Sequence, residues 1–433
     1  LSLTQATAIN MIDMVGIGPF VTIPMIVSIM HGPASIIAWL IGALLAYMDG
    51  MVWSELGAKW PEAGGSYVFL QKLFGERKAG RLMSFLFIWQ STIQAPLVIA
   101  SGAIGFANYF SYLIPLDVIQ KKMVSGGLVI LLVALLYRNI KSIGRISTVL
   151  WIITGGTIIW LILSGIPHFN AAQALDFNFD GFSSMSLLYV AVGQATLKSV
   201  YSYLGYYNVC HLGAEIKDPA KNIPRSIILS ITGIAIFYLG MQTVILGNIP
   251  WEIVAKSEFV ASLYFEQIYN HTVAQVATGL ILIIALASLF SAILGYSRIP
   301  YAAAQNGDFF KVFAKVHPKH KFPHISLLAI GGLGFLFSLL FRLGEVITAI
   351  LMMRILIQFT SQAVGLIGWH YLKPKEERPF KMPLFPIPAV ISILIWLFIF
   401  FSNELKYQLY ALAVITSGTI AYYVRKKFIT VSA

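Results

Sequence analysis

Apolar runs of about 20 residues, each long enough to cross a ~30 Å hydrocarbon core as a helix, recur from one end of the sequence to the other. They fall near residues 7–30, 33–56, 81–113, 123–138, 145–166, 185–212, 225–248, 273–297, 324–342, 344–371, 386–402 and 407–424. With 58% hydrophobic and only 11% charged residues among 433, no polar surface could cover this apolar mass in water. The chain therefore reads as an all-α polytopic membrane protein, a single transmembrane domain over residues 1–433 with twelve spanning helices. The third run is too long to stand along the membrane normal and is expected to tilt.

Orientation follows from the basic residues. With the N-terminus in the cytoplasm, the inner connections hold Lys59, Lys72, Arg77, Lys78 and Arg81; then Arg138, Lys141 and Arg145; then Lys217, Lys221 and Arg225. Further along they hold Arg298, Lys311, Lys315, Lys319 and Lys321; Lys373, Lys375, Arg378 and Lys381; and Arg425, Lys426 and Lys427. Only Lys121, Lys122, Lys256, Arg342 and Lys406 fall outside, so both termini are expected in the cytoplasm and the protein in the plasma (inner) membrane. The net charge of +12 then faces anionic lipid and requires no nucleic acid. The one cysteine, Cys210, rules out an intrachain disulfide, and no disulfide-linked subunit is expected. The sequence begins at Leu1 rather than methionine, which suggests a short preceding tail, and the first run has no small-residue cleavage site of a signal peptide.

The first run carries "MVGIGPFVTIP" near its middle. An open backbone N–H or C=O costs several kcal/mol in hydrocarbon, so a broken helix survives only where protein or a water-filled cavity covers it. Gly16 and Gly18 alone would read as a close helix contact. Pro19, which removes a donor in the turn that the glycines loosen, turns the reading towards a break. The sixth run repeats the pattern in "KSVYSYLGYYNVCHLGAEIKDP", with Gly205 among tyrosines. Broken helices at corresponding positions imply two inverted repeats, 7–166 and 185–371, with two appended helices over 386–424. At such a site half-helix N-termini offer N–H groups to an anionic group and exposed carbonyls hold a cation, a match to the two charges of an amino acid.

These residues carry a resemblance. "GIGPF", "WSELGAKWPEAGGSYVFLQKLFG", "YSYLGYYNVCHLGAEIKDPAKNIPRSI", "SRIPYAAAQNGDFF" and "ERPFKMPLFPIP" occur in order over almost the whole chain. The chain resembles the amino acid, polyamine and organocation (APC) superfamily, and is similar in particular to the L-type amino acid transporters and their bacterial relatives. The resemblance implies a LeuT-type fold with helices 1 and 6 broken, and a permease working by alternating access. It also implies that backbone N–H groups of Gly16, Ile17 and Gly18 bind the substrate carboxylate. By the same resemblance, carbonyls of Tyr201, Ser202 and Leu204 hold its amino group, Gly205 is the hinge, and Tyr201 is an outer gate.

Two departures stand out. Many relatives place a lysine in helix 5 where sodium-coupled cousins hold sodium, and that position here is Thr157. Either a hydroxyl makes the link, or Thr157, Ser288 and Ser291 supply oxygens to a cation, although such hydroxyls more often bond their own backbone. The second departure is the set of charges Asp13, Asp49, Lys198 and Arg354 inside apolar runs, each costing at least ~2.5 kcal/mol if it faced lipid. Structural ion pairs account for Asp49 and Arg354. Asp13, one turn before the first break, is a candidate for proton coupling, with Lys198 a second coupling candidate. Arg354, Gln358 and Gln362 recur every four residues and form a polar stripe expected to face the cavity.

Other chemistries fail on spacing. The eight histidines, including His317, His320 and His324, form no metal pattern with carboxylates. "GSYVFLQKLFG" lacks the ending of a phosphate loop. No enzyme, cofactor or metal is expected beyond a coupling H+ or Na+. The expected function is secondary transport of amino acids, as antiporter or symporter. The alternatives are a cationic amino acid or polyamine as substrate and, from another class, a non-transporting sensor, which would be expected to carry a long cytoplasmic extension.

Overall fold

The computed structural model describes residues 1–62, 64–75, 79–137, 143–179, 181–319 and 322–431, with the side chains of 143–149 and 426–431 outside that set. Arg77, Lys78, Arg138, Lys141, His320 and Lys321 therefore lie outside the described residues, as do the side chains of Arg145, Lys426 and Lys427. In chain order the helices are α1 (Leu3–Val15), α2 (Gly18–Met30), α3 (Ile36–Lys59), α4 (Ser66–Leu73), α5 (Ala79–Leu113), α6 (Val118–Leu136), α7 (Ile143–Gly165), the short α8 (Ala171–Ala174), α9 (Met185–Tyr203) and α10 (Asn208–His211). They continue as α11 (Pro219–Asn248), α12 (Trp251–Lys256), α13 (Val260–Ile268), α14 (His271–Tyr296), α15 (Arg298–Gln305), α16 (His324–Leu340), α17 (Leu343–Arg354), α18 (Ser361–Leu372), α19 (Ile387–Ser402) and α20 (Leu405–Val431).

Among the described residues seven helical stretches are long and apolar enough to cross a membrane, and nine if each bent pair counts as one. One bent pair is α1 with α2, which meet at 47°. The other, α19 with α20, turns through 117°. The chain is thus an all-helical, multi-pass membrane protein. The long run at 81–113 is one 35-residue helix, α5.

Local chemistry sets the helix ends. Ser2 and Gln5 close a capping box on α1, and Asp117 and Gln120 close another on α6. α1 stops at Gly16, whose φ of +34° no branched residue would adopt cheaply. Pro19 then sits in the first turn of α2, where a missing N–H breaks no helical bond. Its place is the start of a new helix, so the interruption of α1 is made by Gly16.

The helices gather in two groups. α3 packs along α11, α1 lies on α11, and α2 and α3 both lie on α9, burying the main apolar core. α5 packs against α14, α16, α6 and α17. Inside the first group the backbones approach closely. Ser199 Oγ donates to the carbonyl of Ala38 at 2.7 Å, and a Cβ on Gly42 would stand 2.4 Å from that Oγ. Gly42→Val should therefore cost about 1–3 kcal/mol through overpacking. The expected outcome is a lower thermal unfolding temperature in detergent, with Gly156→Val, whose Cβ would meet nothing within 4 Å, unchanged.

Candidate functional site

The two chain breaks face each other. Gly205 has φ +126°, and a Cβ there would lie 2.9 Å from the amide nitrogen of Met14 and 3.0 Å from Cβ of Asp13. A Cβ on Gly18 would lie 3.3 Å from Ser202 Oγ, and Thr22 Oγ1 and Ser202 Oγ share a hydrogen bond of 2.8 Å. Both glycines are thus required by the close approach of one break to the other.

Backbone groups at the breaks divide into used and free. The Gly16 N–H still reaches Ile12 O at 3.4 Å, closing α1, whereas among the described residues the N–H groups of Ile17 and Gly18 have no acceptor. Free N–H groups at the start of α2 lie at the positive end of its dipole. On the facing break, the Ser202 carbonyl accepts the Tyr238 hydroxyl at 3.0 Å, and the Tyr201 carbonyl accepts the Leu204 N–H at 3.4 Å. Among the described residues the Leu204 carbonyl has no donor. Tyr238 also donates to Met14 O at 2.8 Å, so one hydroxyl serves both breaks.

Tyr201 reaches from α9 to α5, where its hydroxyl shares a 2.8 Å hydrogen bond with Ser101 Oγ. Its ring packs with Leu97, Ala100, Val346, Ile350 and Met353. The three hydroxyls considered for a cation differ in their surroundings. Thr157 Oγ1 donates to Ile153 O of its own helix at 2.8 Å, and Ser291 is exposed. Ser288 alone lies against the first break, with its Oγ 2.8 Å from where a Gly16 Cβ would be.

The four intramembrane charges do not pair with each other. Asp49 accepts the Tyr206 hydroxyl at 2.5 Å and the Trp396 indole N–H at 3.3 Å. Arg354 donates through Nε to Gln358 at 2.8 Å and through Nη2 to the Tyr207 hydroxyl, and lies 5.3 and 5.1 Å from the ring centres of Tyr207 and Phe359. The expected ion pairs are replaced by neutral hydroxyl, indole and amide partners. Lys198 donates to Gly344 O at 2.7 Å and Thr348 Oγ1 at 2.6 Å. Among the described residues, Asp13 has neither a hydrogen bond nor an ion pair.

The polar stripe is only partly formed. Gln358 continues from Arg354 to Ser66 Oγ at 3.0 Å, but the amide of Gln362 is buried and unpaired. A π-helical segment, Ile355–Thr360, intervenes and shifts the helical phase, so four-residue spacing no longer keeps Gln362 on the same face. No group of three or more His, Cys, Asp or Glu among the described residues is arranged to hold a metal.

Sequence reading missed Tyr238, Ser101 and Asn10. Asn10 Oδ1 accepts the Val209 N–H at 2.9 Å, which fastens α10 to α1. Its polarity inside an apolar run was a visible signal, whereas nothing local distinguishes Tyr238 from other aromatics of its helix.

Residues 1–423 match the amino acid permease family. The chain belongs to that family. It is 25% identical over 395 residues to a branched-chain amino acid permease of Bacillus subtilis, covering 85% of this chain and 80% of the relative. It is 25% identical over 413 residues to mouse cationic amino acid transporter 4, covering 90% of this chain but only 62% of that longer relative. A methylthioribose transporter of Bacillus subtilis is 23% identical over 444 residues, covering 98% of this chain and 92% of the relative. These relatives are permeases and transporters, not enzymes.

The Tyr201 to Ser101 contact generates a test. Tyr201→Phe and Ser101→Ala should each weaken ligand binding by about 1 kcal/mol, and the double variant should lose no more than either alone. Tyr201→Ala should lose far more, because the ring itself is removed. Binding measured on the purified variants checks all four.

Proposed function

We propose that this permease is a secondary active transporter that moves amino acids across the plasma (inner) membrane by alternating access. The reading takes the fold as LeuT-type, with twelve spans, inverted repeats at 7–166 and 185–371, appended helices at 386–424 and both termini cytoplasmic. One observation carries it: on two breaks that touch at Gly18 and Gly205, the N–H groups of Ile17 and Gly18 and the carbonyl of Leu204 have no hydrogen-bond partner among the described residues. A zwitterion bridging them satisfies both sets, its carboxylate on the positive end of α2 and its ammonium on the carbonyl. Rocking of the α1–α2–α3–α9–α11 group against the α5–α14–α16 group would then expose the site to each side in turn.

Asp13 is the coupling residue in this reading. It touches the Gly205 break, has no hydrogen bond or ion pair among the described residues, and sits near the C-terminal, negative end of α1, where a proton or another cation is favoured. The same observation favours a second reading, a cationic amino acid or polyamine substrate, because neither Lys198 nor Arg354 reaches Asp13 to neutralise it. A sensor would bind the ligand without flux.

Uptake of a radiolabelled panel of amino acids and polyamines into proteoliposomes, with imposed proton or sodium gradients, separates these readings. Asp13→Asn keeps the shape and removes the charge. Under proton coupling, the variant should lose accumulation driven by a pH gradient while counterflow exchange of a neutral amino acid persists. Under cationic recognition, binding of the cationic ligand should instead fall by ~3–5 kcal/mol, the cost of removing one partner of a desolvated charge pair.

A further inference from the structure

On the side of the basic connections, "GGSYVFLQKLFG" and "AQNGDFF" meet around a cleft that the breaks do not use. Gly307, at φ +74°, ends α15: its N–H reaches Ala304 O at 3.2 Å, and the Asp308 N–H reaches Ala303 O at 2.9 Å, the crossed pair of bonds that closes a helix at a left-handed residue. The turn brings the Asp308 carboxylate to α4, where the Tyr67 hydroxyl donates to it, and Arg425 of α20 donates to the Asp308 carbonyl at 3.1 Å. The cleft beside this contact has a volume of about 350 Å³ and is lined by Glu62, Tyr67, Gln71, Arg81, Asn306 and Asp308, with Val68 the one apolar residue. That volume lies within the roughly 300–1,000 Å³ of small-molecule sites. Among the described residues the side chains of Glu62, Gln71 and Arg81 make no hydrogen bond or ion pair.

The charges select the ligand. A phosphate group would meet two carboxylates for one guanidinium, and a bare divalent cation would meet Arg81. A zwitterion answers both signs. We propose that this cleft is a second amino acid site, in which Arg81 takes the carboxylate and Asp308 and Glu62 take the ammonium group, with the amides of Gln71 and Asn306 beside them. Because the lining is almost wholly polar, the ligand's own side chain is left in water, and the site recognises the amino acid group rather than one side chain.

The position of the cleft gives the site a consequence. The stretch that lines it also rests on α10: the Gly64 N–H donates to His211 O at 3.4 Å, and a Cβ on Gly65 would stand 2.6 Å from the His211 ring. Ser66 Oγ accepts from Gln358 at 3.0 Å, and Gln358 accepts from the Arg354 that holds Tyr207. An amino acid bridging Arg81 of α5 to Asp308 after α15 spans α4 and braces it on α10. In the transporter reading, on which this consequence alone rests, amino acid gathered on that side slows movement of the second break.

The test reads the cleft without transport. Hydrogen–deuterium exchange of the full-length protein in nanodiscs is followed over residues 64–73 and 303–310, with and without leucine at about 20 mM, a concentration set by the roughly 10 mM affinity that solvent-exposed charge pairs allow. Where local opening destroys a site, ligand slows exchange by one plus the ratio of its concentration to the dissociation constant, here about threefold. The same slowing is expected in Gly18→Val, which crowds the central breaks because its Cβ would lie 3.3 Å from Ser202 Oγ. Tyr201→Ala takes its place if that variant fails to fold. N-acetyl-leucine, which lacks the ammonium group, and leucinamide, which lacks the carboxylate, should give no slowing. Arg81→Gln and Asp308→Asn should abolish the effect of leucine. The first removes an exposed side chain and the second leaves an oxygen for the Tyr67 hydroxyl, so exchange without leucine should stay as it was. Leucine flux into proteoliposomes is measured separately, and absent flux with the slowing intact would count against the transporter reading alone. No slowing by leucine, slowing that survives in Arg81→Gln, or slowing that vanishes when the central breaks are crowded would overturn the second site.

Discussion

The hydroxyl of Tyr238 holds the carbonyls of Met14 and Ser202, at 2.8 and 3.0 Å, and the rest of the site depends on that contact. Breaking a helix inside a membrane protein frees backbone groups that lipid cannot satisfy. A single hydroxyl placed between two breaks shares its one proton between a carbonyl of each. It can do so only because Gly18 and Gly205 let the breaks approach within van der Waals distance. Among the described residues, the N–H groups of Ile17 and Gly18 on one side and the Leu204 carbonyl on the other are left without a hydrogen-bond partner.

The buried charges follow the same economy of partners. Asp49, Lys198 and Arg354 are each met by hydroxyl, amide, indole or carbonyl groups, so none depends on an opposite charge at bonding distance. Removing water from a charge is expensive, and neutral dipoles that are already oriented offset part of that cost without demanding a second buried ion. Asp49 also grips Tyr206 and Arg354 grips Tyr207, which lie side by side just beyond Gly205. The charges therefore fasten the second break in place, while Asp13, among the described residues, makes no hydrogen bond or ion pair.

Much of this was legible in the sequence, and the limits have physical causes. Glycine and proline inside an apolar run are visible because the penalty they impose is local. Even so, Pro19 starts α2 rather than breaking α1, a distinction that depends on one residue of register. Thr157, Ser288 and Ser291 were grouped for their oxygens, but whether oxygens converge depends on helix rotation, which side-chain chemistry does not encode. Gln362 left the polar stripe because a π-helical segment altered the period on which the stripe was drawn. The buried contact of Glu55 with His370, at 2.5 Å, joins residues 315 positions apart and so carries no local pattern at all.

The shape of the second break constrains how it can move. Below Gly205 the helix resumes as α10, only four residues long, and a single turn has no stability of its own in water. It is held by Asn10 from α1, by Asp49 of α3 through Tyr206, and by Arg354 at the end of α17 through Tyr207. Two of these anchors belong to the helix group that contains α10's own neighbours, and the third belongs to the chain that leads into the π-helical segment. Any displacement of α10 that keeps the first two must strain or release the third. In the alternating-access reading proposed above, the Arg354 to Tyr207 contact would hand movement at the break to the helix that leads on to α18, and the π-helical turns next to Arg354 would give that helix a place to absorb it.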